Sequence, residues 1–228
     1  SAVEATKIDT LPGEKIIYRS WEQQHSSLRT MLKNSRRIAM QYSPNNNIPY
    51  ISVVDAGTIE LIRSFGVEIV SSANLVQIFE AVIDEEGYRS HLRAGQKVQQ
   101  IKNEAFALIS LRIKEQKSIT EFEVQQFIVK RFGEEGLTDD NEHPIVGINE
   151  HPADPHFEPT AENAYTIKTG DKVLIDLWAR EQSERAIYYD ITWCGFVGQN
   201  PPAKYVEIFN IVVHARNAAR DFIRRKMA

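Results

Sequence analysis

Apolar positions along the chain change their period twice, and the changes divide it into three stretches. Up to about residue 84, short apolar runs alternate with amphipathic ones. "SWEQQHSSLRTMLKN" places Ser20 as an N-cap before a helix, with Trp21, Leu28, Met31 and Leu32 roughly on one face. "RRIAMQYS" reads as a strand, "PNNNIP" as a turn cluster and "YISVV" as a second strand. "DAGTIELIRSFG" is a short helix closed by Gly66, "VEIV" a third strand, and "SSANLVQIFEAVI" a helix opened by serines. The leading "LPGEK" is a loop. This β-α-β-α order predicts a small α/β domain over residues 1–84.

The second stretch is helical. From Asp84 to about Lys117, Val98, Ile101, Ala105, Leu108, Ile109 and Ile113 recur at three- and four-residue steps. Gly87 and Gly95 weaken its start by about 1 kcal/mol each relative to alanine, which makes a hinge or a chain entry near Tyr88 an expectation. "SITEFEVQQFIVKRFGEEG" is a second helix, capped by Ser118 or Thr120 with a glutamate three residues on. After Gly136 the pattern turns to β. "HPIVGINE" alternates, "HPADPHFEPT" is a proline-broken loop, and "AYTIKTGD" reads as a short strand entering a turn. "KVLIDLWARE" and "RAIYYDITWCGFVG" form two strands about a polar turn. A final helix starts after Pro201 and Pro202, with Tyr205, Ile208, Phe209, Val212 and Val213 on its apolar side. Residues 85–228 thus form a second domain, and the fold class is α+β.

Composition narrows the function classes. A chain of 228 residues with a net charge of −4 lacks the basic face expected of a nucleic-acid binder. The basic tail "ARNAARDFIRRK" reads as a solvated helix face. Cys194 is the sole cysteine, so no disulfide forms within the chain, which favours a reducing compartment. No apolar run approaches the roughly 18 residues of a membrane span, and "SAVEATKIDT" lacks the basic and apolar regions of a signal peptide. A cytoplasmic location is the expectation.

The chemistry concentrates in the two late strands. In "VLIDLW", Leu174, Asp176 and Trp178 share one face, and in "IYYDITW", Tyr188, Asp190 and Thr192 do. If these strands pair through the turn, the two carboxylates lie on one face, where they repel and resist burial. A divalent cation relieves both problems, because carboxylate oxygens suit a hard ion. The competing arrangement has one aspartate capping a turn and the other paired with Arg180 or Arg185. His143, His151 and His156 crowd "HPIVGINEHPADPHF", but the intervening prolines argue against one compact transition-metal site.

"ADPHFEPT", "IKTGDKVLIDLW", "YYDITW" and "FVG" together resemble the pita-bread metallopeptidases, the family of aminopeptidase P, prolidase, methionine aminopeptidase and creatinase. The stretch from "RIAMQYSPNNNIPY" to "NLVQIFEA" is similar to the creatinase/prolidase-type N-terminal domain, which points to the Xaa-Pro branch. The resemblance implies a partial N-terminal α/β domain followed by the first half of a pita-bread catalytic domain. It implies hydrolysis of the bond before proline by water activated at two metal ions, manganese, cobalt or zinc. Asp176 and Asp190 match the first two metal ligands, and His156 matches the loop histidine that stabilises the oxyanion. The family's aspartates are often closer in sequence than the 14 residues here, so the turn "AREQSER" carries an insertion. The family's remaining ligands, one histidine and two glutamates, lie in a later region that this chain does not reach. His214 and Glu207 sit in the final helix and are not those ligands. The expectation is a fragment that is inactive alone, holds metal weakly, and exposes an apolar face prone to self-association. The implied partner is a peptide or dipeptide with proline after the cleaved bond, with no nucleic acid and no membrane; relatives suggest a homodimer. Two rivals remain: a metal-free creatinase-like hydrolase, and a non-catalytic module that binds peptides or proteins.

Overall fold

The computed structural model describes residues 1–227 apart from Glu4 and Leu11, and not the side chain of Ile8. Leu11 of the "LPGEK" loop and Ala228, at the end of the last helical pattern, lie outside the described residues. The chain divides into two units, Ser1–Val82 and Ile83–Ala228.

In the first unit, Ser20 is extended and accepts from the Gln23 amide at 3.3 Å, which starts α1 (Trp21–Leu32). Leu28 and Leu32 pack on the core, whereas Trp21 and Met31 are exposed. β1 (Arg37–Met40) and β2 (Glu68–Ser71) pair in parallel, with Ile38 opposite Ile69. Parallel neighbours need a crossover, and α2 (Ala56–Ser64) supplies it, capped by the Asp55 carboxylate on the Thr58 amide at 2.9 Å. Gly66 follows α2 at φ 81°, the left-handed geometry expected of a residue past a helix end. Ile59, Ile62, Val67 and Ile69 are the buried centre. The expected strand "YISVV" does not form. Pro49–Ile51 is a 3-10 turn, because Pro49 fixes φ and has no N–H to give to a ladder. α3 (Ala73–Glu80) ends the unit, with no buried residue.

The second unit opens with α4 (Glu85–Lys114), whose N-cap Asp84 accepts from the Gly87 amide at 2.8 Å. Of the two expectations near Tyr88, the helix shows a chain entry, starting at Glu85, and no hinge. Its glycines serve close approach instead: a Cβ on Gly95 would stand 2.6 Å from Cδ2 of Tyr189. α5 (Glu121–Glu134) starts from a capping box in which Thr120 and Glu123 each accept from the other's backbone amide. β3 (Leu137–Thr138), β4 (Ile145–Ile148), β5 (Lys172–Glu181) and β6 (Tyr189–Phe196) make an antiparallel sheet. β5 runs through its middle, with β3 and β4 on one edge and β6 on the other. The expected strand in "AYTIKTGD" reduces to a single bridge between Thr120 and Thr166, flanked by bonds from Glu121 N–H to Tyr165 and from Ile167 N–H to Ile119.

The helices cover one face of this sheet. Val98, Ile101 and Ala105 of α4, with Val124 and Ile128 of α5, meet Val173, Ile175, Leu177 and Ala179 of β5 in one buried cluster. Each fully buried aliphatic side chain contributes roughly 1.5–3 kcal/mol. Alternate β5 residues therefore cannot exchange faces without exposing four of them, and the register is fixed. α6 (Ala203–Met227) follows the sheet and buries nothing: Tyr205 and Val213 are half-buried, while Ile208, Phe209 and Val212 are exposed. Among the described residues no helix is long and apolar enough to cross a membrane.

Candidate metal centre

The register of the β5–β6 hairpin places the two aspartates. Asp176 stands opposite Thr192, and Trp178 opposite Asp190. Directly opposed residues share a face, and so do residues two apart. Asp176 and Asp190 are therefore diagonal neighbours on the face turned away from α4 and α5, with backbones about 7–8 Å apart. Leu174, Trp178 and Cys194 share that face with Thr192. The long tip does not disturb this, because pairing is continuous from Lys172–Phe196 to Ala179–Tyr189. The tip is itself anchored: the Ile187 amide donates to Ser90 Oγ at 3.0 Å, and Gln182 Nε2 to the Leu137 carbonyl at 3.3 Å.

Among the described residues, neither Arg180 nor Arg185 pairs with these aspartates. Arg180 forks onto Asp140 at 2.8 and 2.9 Å, and Tyr188 also donates to that carboxylate. Arg185 pairs with Asp84 at 2.7 Å. The salt-bridge arrangement open from sequence is thus not the one formed. Asp176 has one side-chain donor, the Thr192 hydroxyl at 2.5 Å from Oδ1. Burial, and then the neighbouring Asp176 charge, push the Asp190 carboxyl above its ordinary range. Two carboxylates on one sheet face, repelling each other and, among the described residues, paired with neither nearby arginine, suit a divalent cation. They are only two. Among the described residues, no group of three or more His, Cys, Asp or Glu side chains is placed to hold a metal ion.

The three histidines of the upstream segment go to three places. His143 bonds Asp139 at 2.8 Å, and His151 bonds Glu121 at 2.8 Å. His156 is exposed after the 3-10 turn His151–Ala153, its backbone N–H donating to Asp154 Oδ1 at 2.9 Å. Pro152 of this segment rests on the aspartate face at its β4 edge. Gly147 pairs with Leu174, and a Cβ there would stand 3.0 Å from Pro152. Next to it on the same face, Pro152, Leu174, Cys194, Pro202, Tyr205 and Ile208 line a groove of about 400 Å³. Burial raises the Cys194 thiol pKa, and lifts the Tyr205 phenol to about 12.

Sequence reading missed two features here. Thr192 as the Asp176 donor follows from strand alternation once the register is known. Glu121 gave only the signal of an acidic residue in a first helical turn, which ordinarily means a solvated charge near the dipole; here it is fully buried.

The model of metallopeptidase family M24 matches residues 92–228. No curated protein matches the chain by sequence. Among solved structures, a prolidase from Thermococcus sibiricus is 18% identical with a TM-score of 0.56, over 95% of this chain and 55% of its own. A dipeptidase from Pyrococcus horikoshii is 20% identical with a TM-score of 0.54, over 96% and 55%. An X-prolyl aminopeptidase from Caenorhabditis elegans, described as cytosolic with a di-nuclear active site, is 17% identical with a TM-score of 0.56, over 82% and 29%. At these identities the likeness is one of fold. The chain spans about half the length of the prolidase and the dipeptidase.

Proposed function

Because the chain belongs to metallopeptidase family M24, we propose that Asp176 and Asp190 are metal ligands of an Xaa-Pro-type peptidase that cleaves the bond before proline. The observation that carries this reading is the pair of aspartates on one sheet face, paired among the described residues with neither Arg180 nor Arg185. Two divalent ions, manganese, cobalt or zinc, would supply a Lewis acid and an activated water when bound. The chain's own residues then have distinct tasks. Thr192 orients Asp176 through its hydroxyl. His156 donates a hydrogen bond to the scissile carbonyl oxygen as charge develops there. The groove beside Leu174 and Tyr205 takes an apolar part of the peptide. The parallel β1-α2-β2 unit of Ser1–Val82 supports a creatinase/prolidase-type N-terminal domain. With two carboxylates gathered, the 228-residue chain alone is expected to hold a divalent ion weakly and to hydrolyse nothing.

The test uses the protein as its source makes it and an Xaa-Pro dipeptide, with and without manganese. Metal-dependent cleavage that Asp176→Asn and Asp190→Asn each abolish is the expected result. Metal-independent turnover of a small amidine would favour a creatinase-like hydrolase. Absence of both metal uptake and cleavage would leave a peptide-binding module.

A further inference from the structure

Glu121 opens α5 and has no solvent-exposed surface. A carboxylate so placed is costly unless every lone pair finds a donor. Its Oε1 accepts from the Ile148 amide at 2.7 Å and from His151 Nδ1 at 2.8 Å. Its Oε2 accepts from the Tyr165 amide at 2.7 Å and again from His151 Nδ1 at 3.0 Å. One side chain thus ties the last residue of β4 to a residue far along the following loop, and closes that loop at both ends.

The imidazole it grips is also packed on both sides. The His151 ring stacks on Phe157 with centroids 4.1 Å apart, and lies 4.0 Å from the Tyr165 ring. Phe157 is the residue after His156, and Pro152, the residue after His151, rests against Gly147 on the Asp176 face. A chain of contacts therefore runs from Glu121 through His151 and Phe157 to the backbone of His156. The Asp154 turn at the His156 amide completes the hold from the other side.

We propose that Glu121 is the positioning residue for His156: acting through His151, it fixes the segment that presents His156 on the aspartate face. Its catalytic consequence rests on the peptidase reading. In the wider fold the same carboxylate looks like an ordinary buried hydrogen-bond hub, so the test must separate position from stability. Glu123→Ala provides the comparison, since it removes the capping box at the same helix end without touching the loop.

In the 228-residue chain, the imidazole NMR signals of His156 and the amide exchange of Asp154, His156 and Phe157 are measured in Glu121→Gln, His151→Phe and Glu123→Ala. The first two are expected to shift the His156 signals and speed exchange about ten-fold, the worth of one hydrogen bond to a charged group. Glu123→Ala is expected to lower stability and leave both readouts in place. His151→Phe keeps the aromatic stack and leaves each Glu121 oxygen one backbone amide donor, which makes it the second variant if Glu121→Gln unfolds. Unchanged His156 signals and exchange in both loop variants would overturn the proposal. In the protein as its source makes it, Glu121→Gln is expected to lower kcat about 10²-fold, as a small misplacement does, with KM and metal content unaltered. A displaced loop with unaltered kcat would overturn the catalytic consequence. If the unmodified protein cleaves no Xaa-Pro bond, the peptidase reading fails while the NMR comparison still decides the positioning role.

Discussion

Two glycines, one in α4 and one in α5, should respond to the same substitution with opposite signs. Gly133 lies in α5, exposed, with nothing within 4 Å of the position its Cβ would take. Alanine there gains helix propensity and meets no neighbour, a stabilisation of about 0.5–1 kcal/mol. Gly95 lies in α4, where a Cβ would stand 2.6 and 2.7 Å from Cδ2 and Cε2 of Tyr189. Carbon atoms rest at about 3.5–4.0 Å, so the ring must retreat by about 1 Å. That ring also packs 5.1 Å from His91, and its hydroxyl accepts from Gln99 Nε2 at 3.0 Å. Overpacking costs about 1–3 kcal/mol and a lost hydrogen bond about 1, against the same propensity gain. We expect Gly95→Ala to destabilise by about 1–3 kcal/mol. Urea unfolding followed by tryptophan fluorescence measures it, with Trp21→Phe as the background so that Trp178 and Trp193 report the second unit. A Gly95→Ala midpoint above that of the parent, matching Gly133→Ala, would refute the contact with Tyr189 and the helix–hairpin packing inferred from it.

Three other outcomes are expected. Asp190→Asn should stabilise the metal-free chain at neutral pH by roughly 0.2–1 kcal/mol, the scale of exposed charge pairs. The Asp190 carboxyl has a raised pKa in the fold, so its folding contribution is most favourable below its unfolded pKa and is lost as pH rises through the folded one. The gain from asparagine should therefore vanish in acid, which a pH series of thermal melts checks. Thr120→Ala breaks the capping box at α5 and should cost about 1 kcal/mol, read as a lower urea midpoint with an unaltered slope. Cys194 is half-buried, with its thiol pKa raised by burial, so iodoacetamide at pH 8 should label it about ten-fold more slowly than a free thiol; labelling at the free-thiol rate before unfolding would contradict that burial.

Where local chemistry decided the outcome, it was legible from residue order. Ser20, Thr120 and Gly66 mark helix ends because a side-chain oxygen or a missing Cβ acts within a few residues. The alternation of "KVLIDLWARE" assigned Asp176 to the face opposite Val173 and Ile175, and the structure has that arrangement. Long-range partners were not legible. Nothing adjacent to Gly95 announces Tyr189, so a glycine kept for contact looked like a weakness in a helix. "YISVV" has strand composition, yet no neighbouring strand offers the ladder that would redeem it after Pro49. Glu121 looked like a surface charge because the donors that make its burial tolerable come from residues 148, 151 and 165.

The sheet register has a consequence for how such hairpins can diverge. Four aliphatic side chains on β5 choose which way every other residue looks, and they do so from below the tip. Residues can then be added to or removed from the exposed tip Ser183–Arg185, between the anchors at Gln182 and Ile187, while the acidic pair keeps its aim. Variation in length there is mechanically insulated from the chemistry, which makes the connection the natural place to graft a tag or a reporter sequence onto this protein.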